Sequence, residues 1–319
     1  MSAAPRLALI GAGSMGKNHA RVIANSAVAE LAVVIDPHEE TGRHTAGLHG
    51  VEWAASLDSV QGIDGVVVAA STEHHYGIVK DVLEAGLPVL VEKPVCPSLA
   101  QTVELLDLSR AKGLPLMCGL LERYNPAVMV ALNMIEAPLQ VRAERHSPYV
   151  PRIKTGVAWD LLVHDVDLVS RVFGNADPTN VGVEVGYFHP ASVEGAEDVV
   201  ETSLRFGSGG VASVSASRIS QRKVRSLIIH ELDKMIEVDL LRRGVTAYRH
   251  TTIEEQSTSA GGYRQATEIE VPEITGAEPL VSQLIRYVDL LQGKADIDAE
   301  RDSILPSHRI VDAALASRH

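Results

Sequence analysis

Five short apolar runs, at residues 6–10, 31–35, 66–70, 88–91 and 115–119, punctuate the first third of the chain. Each is strand-sized, nearly continuous in Val, Leu, Ile and Ala, and bounded by glycine, proline or a polar residue, as strands buried on both faces are. Between them, helical patterns run through Val22 and Ile23, over about 76–85 and over about 98–112. Strands alternating with helices of this length predict a parallel, doubly wound α/β sheet with right-handed crossovers. After about residue 137 the pattern changes: residues 140–145, 180–188, 199–206, 210–216, 225–231, 235–239 and 244–250 read as successive strands. Glycine-rich turns such as Gly207-Ser208-Gly209-Gly210 join several of them, which predicts an open, largely antiparallel sheet. One helix over about 157–172 interrupts this series, two more near 279–292 and 306–317 end the chain, and 251–262 reads as a mobile loop. The expected division is a doubly wound domain over 1–121 and an α+β domain over 122–319, with the last helix free to pack back on the first.

The first strand runs into Gly11-Ala12-Gly13-Ser14-Met15-Gly16, and a helix follows. In that setting Gly11 permits the tight turn, Gly13 lets the backbone approach a pyrophosphate, and Gly16 lets strand and helix pack closely, with the backbone of Ser14 and Met15 at the helix N-terminus. This is the Rossmann arrangement for a dinucleotide. The second strand ends at Asp36. A carboxylate there accepts hydrogen bonds from both ribose hydroxyls and repels a 2′-phosphate, which favours NAD over NADP; capping a turn before Pro37 is its competing use. Ala70, Ser71, Thr72 and His75 follow the third strand, where small residues leave room for a ribose or nicotinamide, Ser71 or Thr72 caps the helix, and His75 lines the cofactor or packs structurally.

The run ending Val91-Glu92-Lys93-Pro94 places a lysine at the carboxyl end of a buried strand, the edge of a parallel sheet where ligands bind. Pro94 biases Lys93 away from helix and holds the chain extended. A solvated Glu-Lys pair closing a strand is the alternative. A second constellation lies in Trp159-Asp160-Leu161-Leu162-Val163-His164-Asp165-Val166-Asp167. Asp160 and His164 are four apart and share a helical face, so the carboxylate can orient an acid-base imidazole. A structural pair, or a metal site adding Asp167, also fits that spacing.

Composition narrows the field. The 319 residues, 45% hydrophobic, suit two cores, and a net charge of −12 argues against a nucleic-acid footprint. Only Cys96 and Cys118 are present, without metal-type spacing, and both read as buried packing residues. No apolar run approaches the roughly 20 residues a membrane span needs, so the expectation is a cytoplasmic protein binding small molecules and copies of itself. Against the acidic background, Arg142, Arg145, Arg152 and Lys154 form a basic run. Arg142 and Arg145 read as a solvated strand face, whereas Arg152 and Lys154, in a proline-bounded loop, are candidates for a diphosphate.

Glycine loop, Asp36, Glu92-Lys93-Pro94 and the Asp160/His164 pair together resemble the Gfo/Idh/MocA family of nicotinamide-dependent sugar and cyclitol oxidoreductases, over nearly the whole chain. The resemblance implies that Gly11, Gly13, Gly16 and Asp36, with Glu92 and Lys93, hold the cofactor, that Lys93 also hydrogen-bonds the reacting oxygen, and that His164 acts as acid or base beside Asp160. It implies homodimers or homotetramers. Ser71 departs from a frequent proline, and a frequent triple glycine is reduced to Gly156. Residues 122–126, together with Arg152 and Lys154, are most similar to the branch acting on UDP-N-acetylglucosamine at C3, which implies that Arg123, Asn125, Arg152 and Lys154 contact the substrate with Lys93, Asp160 and His164. An inositol, another cyclitol or a deoxysugar is the rival substrate. An NAD-sensing regulator and an NAD-assisted glycosidase or lyase are the readings from other classes.

Overall fold

The computed structural model describes residues 3–150, 155–193, 195–255 and 262–316. Six strands, β1 (Arg6–Ile10), β2 (Glu30–Ile35), β3 (Glu52–Ala54), β4 (Gly65–Val68), β5 (Val89–Glu92) and β6 (Leu116–Gly119), pair in the order β3-β2-β1-β4-β5-β6, all parallel. Helices α1 (Ser14–Ala24), α2 (Glu39–His49), α3 (His75–Glu84) and α4 (Leu99–Lys112) connect them. The winding reverses between β1 and β4, so their carboxyl ends diverge into a crevice. Every residue of β4 is buried, as are Val89, Leu90 and Val91 of β5. α2 and β3 were not expected, because α2 is glycine-bearing and largely polar; Gly42 seats it, since a Cβ there would lie 2.3 Å from the Trp53 ring.

The next part of the chain holds α5 (Pro126–Met134), β7 (Gln140–His146), a π turn (Ala158–Leu162) that runs into α6 (Val163–Val172), and strands β8 (Pro178–Gly186), β9 (Val199–Phe206), β10 (Val211–Ser217), β11 (Val224–His230), β12 (Lys234–Asp239), β13 (Gly244–Glu255) and β14 (Gly262–Glu270). They form one sheet in the order β14-β13-β12-β11-β7-β10-β9-β8, antiparallel except for β7 with β10. The fold is thus α/β, a Rossmann sheet plus a mostly antiparallel one. The expected loop at 251–262 is corrected at both ends, since 251–255 extend β13 and Gly262 opens β14, while 256–261 lie outside the described residues.

Helices α7 (Pro279–Leu291), α8 (Ile297–Asp302) and α9 (Leu305–Ala316) complete the chain. Two compact units result, Met1–Leu121 with Ala277–His308, and Glu122–Gly276 with Arg309–His319. The expected unbroken second domain over 122–319 is therefore interrupted. Tyr287 shows why: wholly buried on α7, its hydroxyl donates to Val66 O at 3.1 Å and accepts from Val66 N at 3.2 Å. Gly65 makes the room, since a Cβ there would approach that hydroxyl to 2.7 Å. Arg301 likewise buries its guanidinium against Ser109 Oγ at 3.0 Å and Leu114 O at 3.3 Å.

Candidate active site

In the first unit, Gly11, Gly13, Ser14, Met15, Asp36, Ala70 and Ser71 line one cleft of about 890 Å³ at the carboxyl ends of β1, β2 and β4. Its shape depends on the glycines. Gly11 has φ +97°, and a Cβ there would lie 2.7 Å from the backbone of Ala69 and Ala70; at Gly16 a Cβ would lie 1.9 Å from Gly11 O. Around Gly13 the space is open for 4 Å, and no acidic residue lies in the first turn of α1, so the helix end meets an approaching phosphate without a competing charge.

Asp36 is 7% exposed. Its Oδ2 accepts the Ala12 N–H at 2.7 Å and its Oδ1 the His38 N–H at 2.8 Å, which fixes the carboxylate at the rim and leaves each oxygen a second lone pair for a ribose hydroxyl. These features fit an adenine dinucleotide. His38, Thr41, His74 and Gly77 also wall the cleft and were not expected; their place within a few residues of the β2 and β4 ends was the available signal.

Other expected cofactor contacts stand elsewhere. Thr72 opens a 3-10 turn (Thr72–His74), and neither it nor Ser71 makes the expected side-chain cap, because that turn takes up the helix entrance. His75 is 1% exposed, with Nδ1 2.8 Å from Pro94 O and Nε2 3.1 Å from Ala70 O, so both ring nitrogens face backbone carbonyls rather than the cleft. Glu92 turns its carboxylate to His19 at 2.7 Å. Glu92 and Lys93 are not walls of the dinucleotide cleft, yet they alone are accessible between Val89 and Cys96. The Lys93–Pro94 peptide is cis. Cys96 and Cys118 are buried, and burial pushes the Cys96 thiol up to about 12.

The second unit carries the other constellation. From Gly156 to Ser170 every residue is buried except Asp160, Leu161 and His164, which form a stripe along the π turn and the start of α6. Buried ion pairs set that face. Arg145 Nε and Nη2 clamp Asp165 at 2.6 and 3.1 Å, Arg145 Nη1 reaches Glu122 at 3.0 Å, and Arg123 grips Asp167 from Nε at 2.8 Å. Burial works against the Arg145 charge, but the two carboxylates outweigh it and hold its pKa above the ordinary value. At the turn's N-terminus, Glu197 Oε1 accepts the Ala158 N–H at 2.8 Å, and a Cβ on Gly156 would strike that carboxylate at 2.3 Å.

Three expectations are corrected here. Arg123, expected to touch substrate, is 6% exposed and committed to Asp167, which also withdraws Asp167 from any metal set with Asp160 and His164. Asn125, also expected at the substrate, is 4% exposed; it caps α5 through Ala127 N at 3.1 Å and donates to Glu122 and to Leu240 O. Arg145 lies in the core rather than on a solvated strand face, whereas Arg142 is exposed. Arg152 and Lys154 lie outside the described residues.

Sheet order and glycine loop define a Rossmann dinucleotide-binding domain. The family models agree: the oxidoreductase family NAD-binding Rossmann fold matches residues 5–120 and the GFO/IDH/MocA C-terminal domain matches 129–236. The chain belongs to the Gfo/Idh/MocA family and is an oxidoreductase of the dehydrogenase type, as several of its relatives are named. It is 29% identical over 246 residues to UDP-N-acetylglucosamine 3-dehydrogenase of Acidithiobacillus ferrooxidans, covering 76% of each chain. To the rhizopine catabolism protein MocA of Rhizobium meliloti it is 30% identical over 224 residues, covering 66% of this chain and 70% of that one. The solved structure of the Acidithiobacillus ferrooxidans enzyme superposes with a TM-score of 0.85 at 24% identity, over 99% of this chain and 97% of the other. Among the described residues no helix is long and apolar enough to cross a membrane.

Proposed function

We propose that the protein oxidises a secondary alcohol of a nucleotide sugar, or reduces the corresponding ketone, with NAD as the redox partner. The observation that carries this is the selective exposure of two otherwise buried segments: Glu92 and Lys93 at the end of β5, and Asp160, Leu161 and His164 at the start of α6. Gly11, Gly13, Ser14, Met15, Asp36, Ala70 and Ser71 would hold the dinucleotide, which when bound accepts or returns a hydride at its nicotinamide ring. Lys93 donates a hydrogen bond to the reacting oxygen and stabilises the negative charge that develops there. His164 takes the hydroxyl proton in oxidation and gives it back in reduction, and the Asp160 carboxylate, one turn earlier, stabilises the imidazolium.

Support for an anionic substrate comes from the relative that acts on a UDP-sugar and from a cleft of about 340 Å³ in the second unit. Arg222, Lys223, Arg225 and Arg242 line that cleft, with Glu237 and Asp239 also in its walls. The test is NADH absorbance on mixing protein and NAD with UDP-N-acetylglucosamine, N-acetylglucosamine, UDP-glucose or myo-inositol. Reduction is expected with a UDP-sugar. Turnover of myo-inositol alone would remove the nucleotide from the reading, and product without net NADH would replace it with the redox-neutral lyase or glycosidase.

Asp36 gives a separate expectation. In Asp36→Ser the preference for NAD over NADP should fall by about ten- to a hundredfold, the worth of one or two charge-assisted hydrogen bonds plus the lost repulsion of a 2′-phosphate. Dissociation constants for both cofactors, measured by fluorescence titration, check it, and an unchanged ratio would mean that the ribose is held by other groups.

A further inference from the structure

We infer that three buried histidines, His19, His75 and His308, are positioning residues for Lys93. This deepens the reading of Lys93 as donor to the reacting oxygen and rests on it. The three come from different helices, α1, α3 and α9, and each holds a different neighbour of Lys93. His19, 4% exposed, places Nε2 2.7 Å from Glu92 Oε1. The other Glu92 oxygen accepts the Lys93 backbone N–H at 3.4 Å, so the carboxylate links the imidazole to the lysine's main chain. Gly119 on the neighbouring strand keeps the space for it: a Cβ there would come within 3.0 Å of Glu92 Cα and Oε2.

Beyond the lysine, His75 sits between the exits of β5 and β4, with Nδ1 2.8 Å from Pro94 O and Nε2 3.1 Å from Ala70 O; a neutral ring has one N–H to give, and the shorter contact assigns it to Pro94 O. His308, with no exposed surface, accepts the Val95 N–H at Nε2, 3.2 Å away. Its Nδ1 lies 3.0 Å from Ile304 O. A carbonyl only accepts, so Nδ1 carries the proton and Nε2 is the acceptor, which fixes the tautomer. Residues 92, 94 and 95 are thus each held by an imidazole.

An imidazole suits this task because its two nitrogens face opposite ways and can join a chain segment to a second element. Burying three polar rings is costly unless each is hydrogen-bonded, and here the bonds converge on one four-residue segment. His19, His75 and His308 are not walls of the dinucleotide cleft. Lysine carries a long flexible stem, and the reach of its ammonium follows from the backbone that bears it. A misplacement of about 1 Å at a reacting centre costs on the order of a hundredfold in rate.

His19→Leu tests this, with His19→Gln, which restores an N–H donor near Glu92, as the rescue. Expected for His19→Leu is a fall in kcat of about ten- to a hundredfold on whichever panel sugar reduces NAD, with the dissociation constant for NAD moving by less than about threefold. Recovery is expected in His19→Gln. Combined with Lys93→Met, His19→Leu should cause no further loss, because its effect passes through the lysine. A lowered melting temperature with unchanged kcat, or a loss that multiplies in the double variant, would overturn the inference.

A readout without turnover is the ¹³C-dimethyl-lysine spectrum of the cofactor-free protein. The Lys93 resonance, identified by its absence in Lys93→Arg, should shift in His19→Leu and return in His19→Gln; an unmoved resonance overturns the inference. If His19→Leu does not fold, His308→Gln carries the same comparison through Val95. Should Lys93→Met itself keep full kcat, the catalytic reading of Lys93 fails, and the spectrum distinguishes that from failure of the mount.

Discussion

Lys93→Met is expected to lower kcat by about two to three orders of magnitude while leaving NAD affinity within about twofold of the parent. Methionine keeps most of the stem and removes only the ammonium, so the loss reports the hydrogen bond and charge offered to the reacting oxygen. Lys93 is not a wall of the dinucleotide cleft, which is why cofactor binding should be spared. Single-turnover rates at saturating NAD, set beside the NAD dissociation constant, separate the two quantities. An undiminished rate would take Lys93 out of the mechanism. Equal damage to rate and cofactor affinity would recast it as a binding residue.

The second large effect falls on stability. Arg145→Met should destabilise the protein by about 3–5 kcal/mol, because Asp165, fully buried, would lose its bidentate partner and remain as an uncompensated charge. Pairing it with Asp165→Leu should restore most of the loss, since replacing a buried ion pair on both sides is far milder than breaking it. Urea midpoints of the parent, the single variant and the pair decide the matter. A single variant as stable as the parent would show that Asp165 is neutralised or rehydrated at little cost. The same ion pairs orient α6, so the single variant should also lose activity while the pair recovers part of it.

The parallel sheet was readable because its strands are buried on both faces and alternate with helices; periodicity and glycine spacing together located the cleft. What was misread shares a physical cause. Asn125-Pro126 is a helix N-cap followed by proline at the first helical position, and reading Asn125 as a ligand group hid both the cap and α5. That helix is apolar nearly throughout, so no amphipathic stripe announced it. Arg142 and Arg145 stand three apart on β7, so a period of two puts them on opposite faces; only one could be solvated. β14 escaped notice because an edge strand needs only backbone pairing on one side, and its described side chains at 267–270 are exposed and mostly polar or charged. Arg123 and Asp167 could not be matched from sequence, being 44 residues apart. By contrast, Asp160 and His164 lie close in the chain, and both stay accessible in an otherwise buried stretch although a π turn replaces the first helical turn.

β7 precedes the other seven strands of its sheet in the chain, yet it lies between β10 and β11. β8 to β10 form one meander and β11 to β14 another, each assembled from adjacent hairpins. During synthesis β7 therefore leaves the ribosome with both edges bare, and its second neighbour is not complete until His230 has been added. For that interval it is an open template for strand pairing, and the two meanders become a single sheet only when its edges are filled.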